Sequence, residues 1–280
     1  MRRKPVVIAM AVLVIAIWAV SVLAAGPKFL DGSNKHNLSS QNTGVTYQAQ
    51  PGDAYMRDKQ VCIFCHTPHN SSPQGALWNR KDPTTVFGRY TSSSLVIRRS
   101  GVPSSYGEPN GSSRLCLSCH DGITAEINVL GTLLNGNPIE FPAGKGKISG
   151  VAAFDVNKVR LGHHPVSFVY DAAVLAAIQA GGKSTQGYKL PTGDQYVKLQ
   201  RLQNKDWMQC TTCHDPHQNQ TAETAYPPGY AGGRKIAPFW VLGDGNGGGS
   251  GNAIADHDTV CLKCHNITKY NNISTAWPWP

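Results

Sequence analysis

Cys62-Ile63-Phe64-Cys65-His66-Thr67-Pro68-His69 is echoed 148 residues later by Cys210-Thr211-Thr212-Cys213-His214-Asp215-Pro216-His217, and the reading of the whole chain works outward from this pair of strings. Two further copies of the core motif, Cys116-Leu117-Ser118-Cys119-His120 and Cys261-Leu262-Lys263-Cys264-His265, use up the remaining cysteines. All 8 cysteines thus lie in Cys-x-x-Cys-His motifs, the spacing of covalent c-haem attachment. Two thiols three residues apart reach the two vinyl groups on one edge of a porphyrin. The next residue, on the same helical turn, swings its imidazole under the iron. Disulfides suit an exported chain but explain neither the uniform spacing nor the trailing histidine. Zinc ribbons place the second cysteine pair about 15–20 residues after the first, whereas 50 residues separate Cys65 from Cys116. A thioredoxin-like redox motif occurs once, beside a βαβ pattern. The expected cofactors are four covalently bound haem c groups, with His66, His120, His214 and His265 as proximal ligands.

Six histidines remain for the distal positions: His36, His69, His163, His164, His217 and His257. Methionine is the other common distal ligand. Beyond the N-terminal segment only Met56 and Met208 are left, and Met208 lies two residues before Cys210, so bis-histidine ligation is expected at all four irons. Both halves of the chain read as a histidine, then CxxCHxPH, then a second CxxCH about 50 residues on, and this repeat is the organising unit. His69 is too close to His66 to wrap around the same haem. It is assigned to the haem on Cys116/Cys119, and His217 by the same logic to the haem on Cys261/Cys264. His36 is left for the first haem and His164 for the third. His163 is the rival of His164, and His257, four residues before Cys261, is the expected non-ligand.

The strings Cys62 to Asn70, Leu77-Trp78-Asn79-Arg80, Cys116 to Gly122 and Lys35-His36-Asn37-Leu38-Ser39 resemble the doubled-CxxCH multihaem c-type cytochromes of metal-reducing bacteria. Haem number and chain length look like the tetrahaem, outer-surface, nanowire-forming members. The resemblance is strongest over residues 33–125 and patchier over 160–270. It implies bis-histidine haems in alternating stacked and T-shaped pairs, with one iron ligated by a histidine of the adjacent subunit. A common family string, Asp-His-Pro-Val, reads His163-His164-Pro165-Val166 here, which favours His164 as the ligand.

Arg2, Arg3 and Lys4 followed by the apolar run Val6 to Val22 read as an export signal, with small residues at Ala24, Ala25 and Gly26 for cleavage. An uncleaved anchor is the other reading of that run. The expected organisation is a signal peptide over 1–25, a first dihaem module over 26–150 and a second over 151–280, the two forming one compact unit. Glycine (29) and proline (18) are abundant and apolar periods are few, so haem discs rather than side chains are expected to supply the core. The formal charge of +9 falls to +6 without Arg2, Arg3 and Lys4. Four haems contribute about −4 to −8 through propionates and iron, so charge argues for no nucleic-acid partner.

The expected fold is mostly irregular, with short α-helices organised around a haem chain and little or no β-sheet. Asp171 to Ala180 reads as a helix capped by Asp171 and stopped by Gly181-Gly182. A second short helix is expected to start at Asp206-Trp207 and carry residues 210–214. Residues 101–113 and 243–252 read as loops, Asn37, Asn70, Asn110, Asn219, Asn266 and Asn272 head Asn-x-Ser/Thr triplets, and the tail Trp277-Pro278-Trp279-Pro280 is apolar. The expected function is electron transfer, not enzymatic catalysis, in an exported protein at the cell surface or outside the cell. Its expected partners are copies of itself, head to tail in a filament, and other redox proteins or extracellular acceptors. His36 is the first candidate for a ligand donated between subunits, with His163, His164 and His257 behind it. The alternatives are a monomeric periplasmic shuttle and a multihaem reductase, which would need an iron with an open face.

Overall fold

A computed structural model describes residues 34–69, 71, 73, 75–83, 86–87, 95–121, 139–146, 148, 164–180, 187–217, 224–226, 234–236, 239–242 and 259–265. The N-terminal segment, the second loop (243–252), His163, His257 and the C-terminal tail lie outside them, as do the acceptor asparagines 70, 219, 266 and 272.

Most of the described chain is irregular. In chain order its helices and strands are α1 (Gly111–His120), β1 (Phe168–Val169), α2 (Ala172–Ile178), β2 (Gln200–Leu202), β3 (Lys205–Met208), α3 (Cys210–Cys213), β4 (Thr224–Tyr226) and β5 (Arg234–Ile236), with 3-10 turns at Arg57–Lys59, Cys62–Phe64 and Val96–Arg98. No described helix is long and apolar enough to cross a membrane.

α2 forms as the sequence suggests: the Asp171 carboxylate accepts from the amides of Ala173 and Val174 and caps the helix. The expected helix start at Asp206-Trp207 is not found. Those residues belong to β3, and the helix begins only at Cys210. The cause is Gln203-Asn204, both at positive φ (48° and 61°), which makes a two-residue hairpin joining β2 to β3. β1 pairs with the other edge of β3, with Phe168 opposite Met208 and Val169 opposite Trp207. A small three-stranded antiparallel sheet, order β1-β3-β2, and the separate β4–β5 pair therefore stand where little or no sheet was expected. The expected 101–113 loop is shortened too, because α1 already starts at Gly111.

Among the described residues the core is divided among three apolar clusters. The largest packs Phe168, Val169, Tyr170, Trp207 and Met208 of the sheet against Val174 and Ile178 of α2 and against Val96, Ile97 and Cys264. Leu38, Ala49, Phe64 and Ile139 form a second beside the first motif, and Val197, Val241, Leu242 and Val260 a third beside the fourth. Met208 is thus a core side chain, and Met56 lies at the surface.

Candidate functional site

Each Cys-x-x-Cys-His motif is a single helical turn. The histidine amide donates to the first cysteine carbonyl at 2.8 Å in residues 62–66, 2.9 Å in 210–214 and 2.9 Å in 261–265, and the second motif is the C-terminal half of α1. This turn carries both thiols and the imidazole on adjacent faces. All 8 cysteines are free thiols. They approach one another motif by motif in chain order. The Cys65 thiol is pushed up to about 12 by burial and by Cys119. Cys116 is hydrogen-bonded to Cys210, and that contact together with burial keeps it protonated. Burial and the Cys261 and Cys264 thiols raise Cys213.

The second and third motifs are joined by direct hydrogen bonds between α1 and α3. The Cys210 amide donates to Ser113 Oγ at 2.9 Å, and the Ser112 and Thr211 hydroxyls share a bond. Gln209, 1% exposed, accepts from the Ser113 amide (3.2 Å) and from Ser167 Oγ (3.2 Å) while donating to Asn110 Oδ1 (2.7 Å). At the first motif, Arg80 donates to the Ser118 carbonyl at 3.0 Å and so links it to the second.

A recurring strap holds the motifs. The carbonyl of the second cysteine accepts from Asn79 (3.0 Å) at Cys65, from Val241 (2.9 Å) at Cys213 and from Lys189 (2.9 Å) at Cys264. In each case the preceding residue is aromatic, and its ring faces the proximal histidine: Trp78 on His66 (6.1 Å), Trp240 on His214 (4.7 Å) and Tyr188 on His265 (5.3 Å). The first and third motifs match further. Thr67 donates to Leu77, Asp215 donates to Phe239, and Leu77 and Phe239 share the left-handed conformation at φ 63° and 51°. The internal repeat is therefore structural as well as textual. Sequence reading did not single out these aromatics as facing the histidines, although Leu77-Trp78 and Phe239-Trp240 align once the motifs are superposed.

Three histidine pairs stand out. The rings of His66 and His217 have centroids 6.2 Å apart, those of His36 and His120 6.1 Å, and those of His164 and His265 6.3 Å. Two imidazoles on opposite sides of one metal, each at a metal–nitrogen distance of about 2 Å, put their ring centres roughly 6 Å apart. The donor set fits haem iron: one proximal histidine from a motif and one free histidine in every pair. Protonation fits at four of the six rings, since a metal ligand must be neutral. Burial, reinforced by His120 and His217, drops His36 to about 3, and burial together with His164 drops His265 to about 4. His66 is lowered by burial and by His217. His164 keeps an exposed edge, while the protein around it desolvates the ring and lowers its pKa. His217 moves the other way because Asp215 hydrogen-bonds it.

The partners differ from those expected from spacing. His36 faces the second motif, not the first; His217 faces the first, not the fourth; His164 faces the fourth, not the third. Spacing along the chain excluded a ligand from its own haem but carried no information on how the two halves fold over each other. The order of the chain is scrambled because α3 packs on α1 and brings residues 214–217 next to His36 and His66. His36 is also no free arm. Its ring lies 4.6 Å from Phe239, its Nδ1 is shut off from solvent, and its segment is tied down by Asn34 and Asn42. This placement sets it beside the second motif of its own chain. His69 is exposed and, among the described residues, faces no other histidine, so it does not meet the second motif as expected.

Compared with known proteins, the chain matches no family model and no curated protein.

Proposed function

We propose that the chain is an electron-transfer tetrahaem c-type cytochrome with bis-histidine irons. The observation that carries this reading is the set of three histidine ring pairs at iron-spanning separation, each joining a motif histidine to a free one. When bound, haem supplies one-electron chemistry between ferric and ferrous iron. The chain's own residues do the rest. Cys62/Cys65, Cys116/Cys119, Cys210/Cys213 and Cys261/Cys264 attach the four groups. His66, His120, His214 and His265 would each be one ligand of the iron bound at their motif, and His217, His36 and His164 would be the second ligand at the first, second and fourth. Contiguous thiols from motif to motif support a continuous row of groups rather than isolated ones. Iron with both axial sites filled leaves no place for a substrate, which supports conduction over reductase chemistry.

The fourth distal position, opposite His214, falls to His69, His163 or His257. The repeat favours His69. It is the counterpart of His217, which caps the iron site of the other motif in the pair, so His69 is matched to His214. Its ring is exposed and, among the described residues, faces no other histidine, so the donor is assigned to His69 of a neighbouring copy, and such a contact repeated head to tail gives an open filament. This also fits the resemblance to filament-forming cytochromes over residues 33–125, with export to the cell surface.

Carbon monoxide tests the ligation. Reduced wild-type filaments bind none and the oxidised protein is wholly low-spin. Stoichiometric carbon monoxide binding to the native assembly restores the reductase reading.

A further inference from the structure

The three ring pairs are not alike. The ring planes of His66 and His217 are nearly parallel, at 13° to each other, whereas those of His36/His120 and His164/His265 cross at 76° and 72°. Among the described residues, His217 is the one free histidine of these pairs held by a carboxylate. Asp215 Oδ1 accepts from the His217 amide at 2.9 Å and lies 3.1 Å from His217 Nδ1, so one oxygen fixes both the backbone and the ring. In the other repeat Thr67 occupies the equivalent position, and its hydroxyl bonds the His69 backbone.

We propose that Asp215 is a positioning residue for the first iron site, and that it makes this site the distinct one of the four. The inference rests on the haem reading above. Nδ1–H of His217 donates to the carboxylate, which leaves Nε2 as the nitrogen available to a metal and fixes the ring plane. A carboxylate on the outer nitrogen also makes the imidazole a stronger donor. A stronger donor stabilises ferric over ferrous iron, so Asp215 holds that potential down. Asp215 sits beside its own motif's His214 yet acts on the iron of the first motif, across the two halves of the chain.

Ring planes have their own signature. Imidazoles donate into the iron d orbitals that lie perpendicular to their planes. Parallel planes load one of two such orbitals and split them, giving a rhombic ferric signal. Crossed planes load both, giving a signal dominated by one large g value.

The test is electron paramagnetic resonance and redox titration on fully assembled wild type, Asp215→Asn and Asp215→Ala, with His217→Ala marking which potential belongs to the first site. Wild type should show a rhombic component beside large-g components. Asp215→Asn should raise the marked potential alone and keep the rhombic signal. Asp215→Ala should raise it further and replace that signal with a broadened or large-g one. Unchanged spectra and potentials in both variants at full haem content overturn the inference and leave the functional reading intact, and so does an equal drift of all four potentials. Wild-type protein without covalent haem overturns the functional reading and this inference together.

Discussion

The Asp53 carboxylate caps the turn that leads into the first motif, accepting from the amides of Tyr55 (2.9 Å) and Arg57 (3.2 Å) and pairing with the Arg57 guanidinium. Arg57 holds its pKa at about 2, below the ordinary 3.8. A carboxyl lowered in the folded state stabilises it fully above its ordinary value, and that contribution fades as pH falls from about 3.8 towards about 2. The pair lies close under the surface, where screening trims its value, so Asp53→Asn is expected to cost about 1–2 kcal/mol at neutral pH. Thermal unfolding of holoprotein should show the deficit at pH 7 and its disappearance near pH 2. The paired histidines give a sharper expectation. His217→Ala should open the iron of Cys62/Cys65, and His164→Ala that of Cys261/Cys264, each binding one carbon monoxide per chain. Proteolysis with mass mapping after photo-crosslinking at the open site locates which haem changed. An open site on the third motif in His164→Ala would support the assignment by spacing over the one by geometry. At this scale the local turn of each Cys-x-x-Cys-His motif was legible, because its fixed short spacing closes within one helical turn. Distal partners were not, because they are set by contacts between segments far apart in the chain.

At the level of elements, α1 explains much of what local sequence withheld. Its N-terminus has no side-chain cap from Asn110. Gln200 Oε1 accepts from the Ser112 amide (3.0 Å) and Gln209 Oε1 from the Ser113 amide (3.2 Å), so two glutamines from about ninety residues away cap the helix that carries the second motif. No local pattern announces such a cap, and the Gly-Ser-Ser start reads as loop. Gly111 itself lies at φ 51°, and a Cβ there would come within 2.5 Å of Gln200 Oε1 and 2.7 Å of Leu202 Cδ1. Gly111→Ala is therefore expected to destabilise the protein by about 1–3 kcal/mol and to loosen α1 from α3. Denaturant titration of holoprotein checks it, and a change below about 0.5 kcal/mol would contradict it. The Asp171 cap was readable because cap and helix are adjacent in sequence. The β2–β3 hairpin was not, because neither Gln203 nor Asn204 is followed by the glycine that usually marks such a turn.

For the whole molecule, the apolar clusters are small and separate, and the motif turns lie between them, linked through α1, α3 and Arg80. Low apolar period and high glycine content were visible in the sequence; the small sheet that supports the third motif was not. Assembly is expected to depend on His69. His69→Ala should retain full haem content, form no filaments in negative-stain micrographs and expose one open iron per chain. Filaments with every iron low-spin would assign the link to another residue, and wild-type protein sedimenting as a monomer at high concentration would return the reading to a periplasmic shuttle. All of this depends on whether the four motifs carry haem. Intact mass spectrometry of acid-denatured protein, purified from cells with a c-type maturation system, asks that directly. A mature chain heavier by four haems, with no cysteine open to alkylation, is expected. A chain of bare polypeptide mass with alkylatable thiols, or haem released by acid, would contradict it.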